Sequence, residues 1–104
     1  MKQATKTLRP GDHVWCSFGL LFHAGIYVGN GEVIHNCPEH GTTHDTLEKF
    51  AAGALIRRGV SDRTLSRKQV VARAYSSLGE RNYHLLLNNC LHFTQWCRTD
   101  MELT

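Results

Sequence analysis

The chain has 104 residues, 41% of them hydrophobic and 20% charged. That is globular composition, which excludes a disordered tail, and the length leaves room for one core rather than two. The net charge of +3 is too small to argue for nucleic acid as a partner, whereas seven histidines and four cysteines are a notable supply of nucleophiles, bases and metal ligands.

Residues 1–8 are polar and lack the apolar stretch of a secretory signal, and no window approaches the roughly 18 apolar residues of a membrane span. The expectation is a soluble cytoplasmic protein in which Cys16, Cys37, Cys90 and Cys97 are thiols. Residues 9–12 (RPGD) are a turn signal, and residues 13–17 then alternate as a strand does. Residues 22–28 and 32–36 are two further strand-like runs, joined by the Gly29-Asn30-Gly31 hairpin signal. Residues 37–44 read as a loop. Asp45, with Glu48 three residues on, predicts the cap of a short helix that Gly53 ends. Residues 54–58 are a candidate strand and 59–65 a polar loop. Ser66 with Gln69 forms a capping box opening a helix, whose apolar face is Val70, Val71, Ala74 and Leu78 and whose stop is Gly79. Residues 83–87 read as extended, and Asn88-Asn89 predict the cap of a last helix from Cys90 to about Arg98. Strands first and helices after give an α+β class.

The register of the hairpin decides what its two histidines can do. A two-residue loop pairs Ile26 with His35 and sends His23 and His35 to opposite faces. A three-residue loop pairs Gly25 with His35 and puts both imidazoles on one face as diagonal neighbours. Gly31 suits the left-handed position that the longer loop requires, so the shared face is the expected one. Cys90, at the start of a helix, would feel the positive end of the helix dipole, which favours a thiolate. A buried cysteine is more often a small hydrophobe, but a nucleophile needs a base and the base an orienting partner, and the hairpin supplies two imidazoles.

These same residues carry a resemblance. Residues 9–12 (RPGD), 23–29 (HAGIYVG), 33–35 (VIH) and 89–93 (NCLHF) resemble the motifs of the lecithin retinol acyltransferase (LRAT) family. That family includes the HRAS-like suppressor phospholipase/acyltransferases and the viral H-box/NC proteins. The similarity runs over residues 8–99, read as one catalytic domain with short polar termini. It implies a permuted papain-like (NlpC-type) fold, an antiparallel sheet packed against helices with the nucleophile at a helix N-terminus. It implies Cys90 as nucleophile, His23 as general base and His35 as the third member holding the His23 ring. The implied activity is acyl transfer or hydrolysis through a thioester on Cys90, with a phospholipid-type ester as acyl donor and no cofactor. Tyr27 and the backbone N–H of Cys90 are candidate oxyanion donors. One departure is Leu91, where the family usually has Glu. The alternatives are a cysteine peptidase or amidase with the same triad, and a catalytically silent interaction module. Donor, acceptor and oligomeric state are left open.

Rival sites are weaker. Cys37, His40 and His44 imitate metal-ligand spacing, but no fourth ligand is apparent and a polar loop is the preferred reading, so no metal is expected. Arg57, Arg58, Arg63, Arg67, Lys68 and Arg73 form a diffuse basic stretch; such runs are usually solvated, and weak peripheral contact with anionic lipid is the functional alternative. His13, His84 and His92 are expected in surface or structural roles, and Trp15, Phe22, Phe93 and Trp96 in the core.

Overall fold

The computed structural model describes residues 7–19, 21–37, 41–59, 63–79 and 90–99. Its first half folds into four consecutive antiparallel strands: β1 (His13–Phe18), β2 (Leu21–Gly29), β3 (Glu32–Cys37) and β4 (Gly41–Thr46). A short helix α1 (Leu47–Ala51) follows, then a two-residue strand β5 (Arg57–Arg58) that pairs with β1. Among the described residues two helices follow, α2 (Arg67–Ser76) and α3 (Cys90–Arg98). The sheet order is β4-β3-β2-β1-β5, so β2 is central. The class is α+β, with helices on both faces of an antiparallel sheet.

Period-2 alternation sorts the strands into two faces. Val14, Cys16, Tyr27 and Val33 pack with Leu8, Ile56 and the α1 residues Leu47, Phe50 and Ala51. The other face places Ile26 and Ile34 against Val70 and Ala74 of α2 and Phe93 and Cys97 of α3. Helix α2 starts as the sequence predicts. The Ser66 side chain accepts the Gln69 N–H, and the Gln69 side chain accepts the Ser66 N–H.

The structure differs from the sequence reading in several places. The hairpin turn is neither of the simple loops. Asn30 and Gly31 form a two-residue turn, both with positive φ (55° and 73°), as a turn matched to strand twist requires. A bulge between Tyr27 and Gly29 then restores the pairing of Gly25 with His35. The expected register is thus reached by a shorter turn plus one unpaired residue. Residues 41–46, read as loop and helix cap, are strand β4, in which Thr42, Thr43 and Thr46 suit extended backbone. The cap of α1 is Thr46, whose Oγ1 accepts the Lys49 N–H at 3.1 Å, so Asp45 is not the cap. Helix α2 ends at Ser76; Leu78 lies beyond it and is exposed rather than part of its apolar face. His13 lies buried in strand β1, one of the two places expected of it, whereas Phe22 is exposed rather than core. The extended segment 83–87 and the Asn88-Asn89 cap fall outside the described residues.

Candidate active site

His23 and His35 stand on the same face of β2 and β3. Their ring centroids are 5.9 Å apart, and Phe50 of α1 closes over both, 5.8 Å from His23 and 5.0 Å from His35. Cys16 is the cross-strand partner of His23 on β1 and is fully buried. Gly25 makes the arrangement possible. It sits directly opposite His35, and a Cβ there would lie 2.8 Å from the Ile34 carbonyl oxygen and 2.9 Å from His35 Cβ. His35 is buried, whereas His23 is half-buried.

His35 is also held from behind. Its Nε2 lies 2.8 Å from Asp45 Oδ2, across the β3–β4 pair. A carboxylate only accepts, so the proton between them belongs to His35 Nε2. Burial pushes the His35 pKa down, and the nearby His23 adds to this; the Asp45 hydrogen bond and charge oppose it, and the net displacement is downward. The ring is therefore neutral near pH 7. Its Nδ1 is buried and finds no hydrogen-bond partner among the described residues. The other carboxylate oxygen of Asp45 faces the exposed Lys49 ammonium at 3.8 Å.

Cys90 is the first residue of α3. Helix α2 fixes where that end points. Arg67 at the start of α2 donates to Asp12 Oδ1 at 2.7 Å, and the Gly79 N–H, just past its end, reaches the Thr42 carbonyl beside Asn36 of β3. Helix α3 runs back along it, with Arg73 Nε donating to the Trp96 carbonyl and the Thr64 N–H to the Arg98 carbonyl. The first turn of α3 is thereby directed toward the end of the sheet where β2 begins and β3 finishes, the end that carries His23 and His35. The body of α3 packs on the opposite face from the imidazoles. The side chains of Cys90, Leu91 and His92 lie outside the described residues.

Tyr27 shares the imidazole face, but four strand residues, roughly 13 Å, separate it from His23. Its hydroxyl accepts the Gly31 N–H at 3.1 Å and so ties down the hairpin turn. Cys16 and Cys97 are buried and form no disulfide, and burial pushes the Cys97 pKa up to about 12, which makes it inert as a nucleophile. His44 pairs with Glu32 at 2.9 Å, and His40 and the Cys37 side chain lie outside the described residues. Among the described residues no cluster of three or more His, Cys, Asp or Glu could hold a metal, and no helix is long and apolar enough to cross a membrane. Sequence reasoning missed Asp45 and Phe50 as neighbours of the histidine pair. The threonines flanking Asp45 were the available sign that it lies on a strand beside β3.

Comparison with known proteins gives one consistent answer. The family model of lecithin retinol acyltransferase matches residues 6–103. The chain is 46% identical to rat lecithin retinol acyltransferase over 122 aligned residues, covering 85% of this chain and 53% of that protein. It is 31% identical to the human protein, covering 90% of this chain and 56% of the relative, and 34% identical to the bovine one, covering 75% and 49%. The chain thus spans about half the length of these relatives.

Proposed function

The chain belongs to the lecithin retinol acyltransferase family, and from that premise we propose that it is a thiol acyltransferase or hydrolase acting on lipid acyl esters. Cys90 is the nucleophile, His23 the general base and His35 the residue that holds the His23 ring. The arrangement is papain-like in permuted order, with the histidines before the cysteine. The observation that carries this reading is the pairing of two imidazoles on one sheet face under Phe50, one half-buried and the other buried and anchored by Asp45.

The chemistry follows from those positions. His23 takes the Cys90 proton, and the thiolate attacks the ester carbonyl of the lipid. The Cys90 backbone N–H, at the helix start, receives the oxyanion. The C–O bond breaks, His23 returns the proton to the leaving alkoxide, and an acyl-thioester stays on Cys90. Water, an alcohol or an amine then attacks the thioester carbonyl, gives its proton to His23 and releases the thiolate. Tyr27, occupied at the hairpin turn, is assigned no step. The reading places the protein in a reducing cytoplasm, where its cysteines stay thiols. Exposed Arg57 and Arg58, beside Trp15 and the exposed Phe22, suit weak contact with an anionic lipid surface.

Mass spectrometry of the protein after exposure to phosphatidylcholine tests this directly. The expected result is one acyl adduct, on Cys90, absent in Cys90→Ser and in His23→Ala. A thiol-directed probe should label Cys90 and spare buried Cys16 and Cys97. Labelling of Cys90 that is indifferent to His23→Ala would overturn the assignment.

A further inference from the structure

The histidine pair has a third partner that the catalytic reading does not use. Asp45 reaches His35 Nε2 from β4, and it is neither the cap of α1 nor a solvent-facing charge: its side chain is only 19% exposed. We propose that Asp45 is a positioning residue for the reaction, selecting the tautomer of His35 so that His35 can in turn fix the ring of His23. The proposal rests on the catalytic reading above.

A neutral imidazole has one N–H and one lone pair, and which nitrogen carries which is set by the partner of the other. The Asp45 carboxylate accepts and cannot donate, so it keeps the proton on His35 Nε2. The lone pair is then on Nδ1, the buried atom with no partner among the described residues. An acceptor there is what the His23 ring needs: the ring centroids stand 5.9 Å apart with Nδ1 not engaged among the described residues, and in the proposed reactive arrangement His23 turns an N–H onto His35 Nδ1 and keeps its second nitrogen for the Cys90 proton. With the opposite tautomer, His35 would present N–H to N–H, and His23 would lose its orientation. When His23 becomes an imidazolium, the Asp45 charge also favours that state through the intervening ring, without taking the proton itself. The charged or titratable groups facing the pair among the described residues are Asp45 from β4, Lys49 behind Asp45 on α1, and Cys16 from β1; Phe50 of α1 supplies the apolar wall.

The test is Asp45→Asn, which keeps size and hydrogen-bonding capacity but turns an obligate acceptor into a group that also donates. Nitrogen chemical shifts of histidine-labelled protein near pH 7 read the tautomer without any activity. The Nε2–H form of His35 is expected in the wild type and its loss or mixing in the variant. The rate of Cys90 acylation should fall roughly ten- to hundred-fold with KM unchanged, and the acid limb of its pH profile should move to lower pH. A His35 tautomer that is Nδ1–H in the wild type, or identical in the variant, overturns the proposal. So does a variant with an unmoved pH limb and a fall in rate that merely tracks its Tm. His23→Ala measured alongside separates the two ideas: Cys90 acylation that survives it removes the catalytic reading, whereas acylation that needs His23 but ignores Asp45 removes only this inference.

Discussion

Gly25 shows how one residue sets the site. Its φ is unremarkable, so glycine is required by space and not by backbone conformation. Three atoms, from Ile34, His35 and Val33, would lie within 2.9 Å of an added Cβ. Two of them belong to the neighbouring strand's backbone or to a Cβ and cannot swing aside. Gly25→Ala should therefore push β3 away from β2, at a cost of about 1–3 kcal/mol, typical of overpacking. Thermal unfolding would show this as a fall in Tm of several degrees. Because His35 is the residue displaced, Cys90 acylation should fall by more than the loss of stability accounts for. A variant with wild-type Tm would mean that the strands do not approach this closely. At this scale the sequence was informative about His23 and His35, since a two-residue period and a glycine turn bring them to one face. It was blind to Asp45, because a carboxylate before a short helix has the same signature whether it caps that helix or reaches across a strand.

At the scale of elements, the hairpin and α2 mark opposite limits of what a sequence discloses. The capping box of α2 is local: four residues contain both hydrogen bonds, so its start is readable before any tertiary contact exists. Ser66→Ala should cost about 1 kcal/mol and lower Tm by roughly 4–8 °C. Ser76→Ala is the control, since its exposed hydroxyl only donates back to the Arg73 carbonyl and its loss should change stability by less than about 0.5 kcal/mol. Equal effects of the two would show that the box contributes nothing particular. The hairpin is different. Its turn is local, with Asn30 and Gly31 both left-handed, but the bulge at residue 28 answers to the sheet. Without it a two-residue turn would put His35 opposite Ile26 and turn it to the other face. Strand β4 was missed for a related reason: its threonines favour extended backbone, but the pairing with β3 that makes residues 41–46 a strand is not local.

At the scale of the whole molecule, buried histidines and Asp12 tie stability to pH in one direction below neutrality. His13 is 5% exposed, and burial, with Arg98 adding repulsion, pulls its pKa down to about 4. His35 is displaced the same way. For each, the unfolded chain binds a proton near pH 6.5 and the folded chain does so only at lower pH. Stability is therefore fully present above pH 6.5 and is lost as pH falls, for His13 over the window from 6.5 to about 4. Asp12 extends the trend. Burial would raise its pKa, but its hydrogen bonds from Arg67 and the Arg9 N–H, with the charges of Arg67 and Arg58, outweigh that and lower it below 3.8. Its contribution is present above the unfolded value and lost below it. The three groups therefore act in succession and never cancel. The His13 share is about 3 kcal/mol, a large fraction of the stability of a domain this size. Denaturant unfolding between pH 7 and 4 should show ΔG falling by up to about 1.4 kcal/mol per pH unit for each such histidine. His13→Gln removes one titrating group. It should be less stable at pH 7, because the ring that packs against Gly59 is gone, and its pH slope between 6.5 and 4 should be shallower by close to one proton. A variant with the wild-type slope would show that His13 titrates alike in the folded and unfolded chain and would overturn its assignment as the source of the slope.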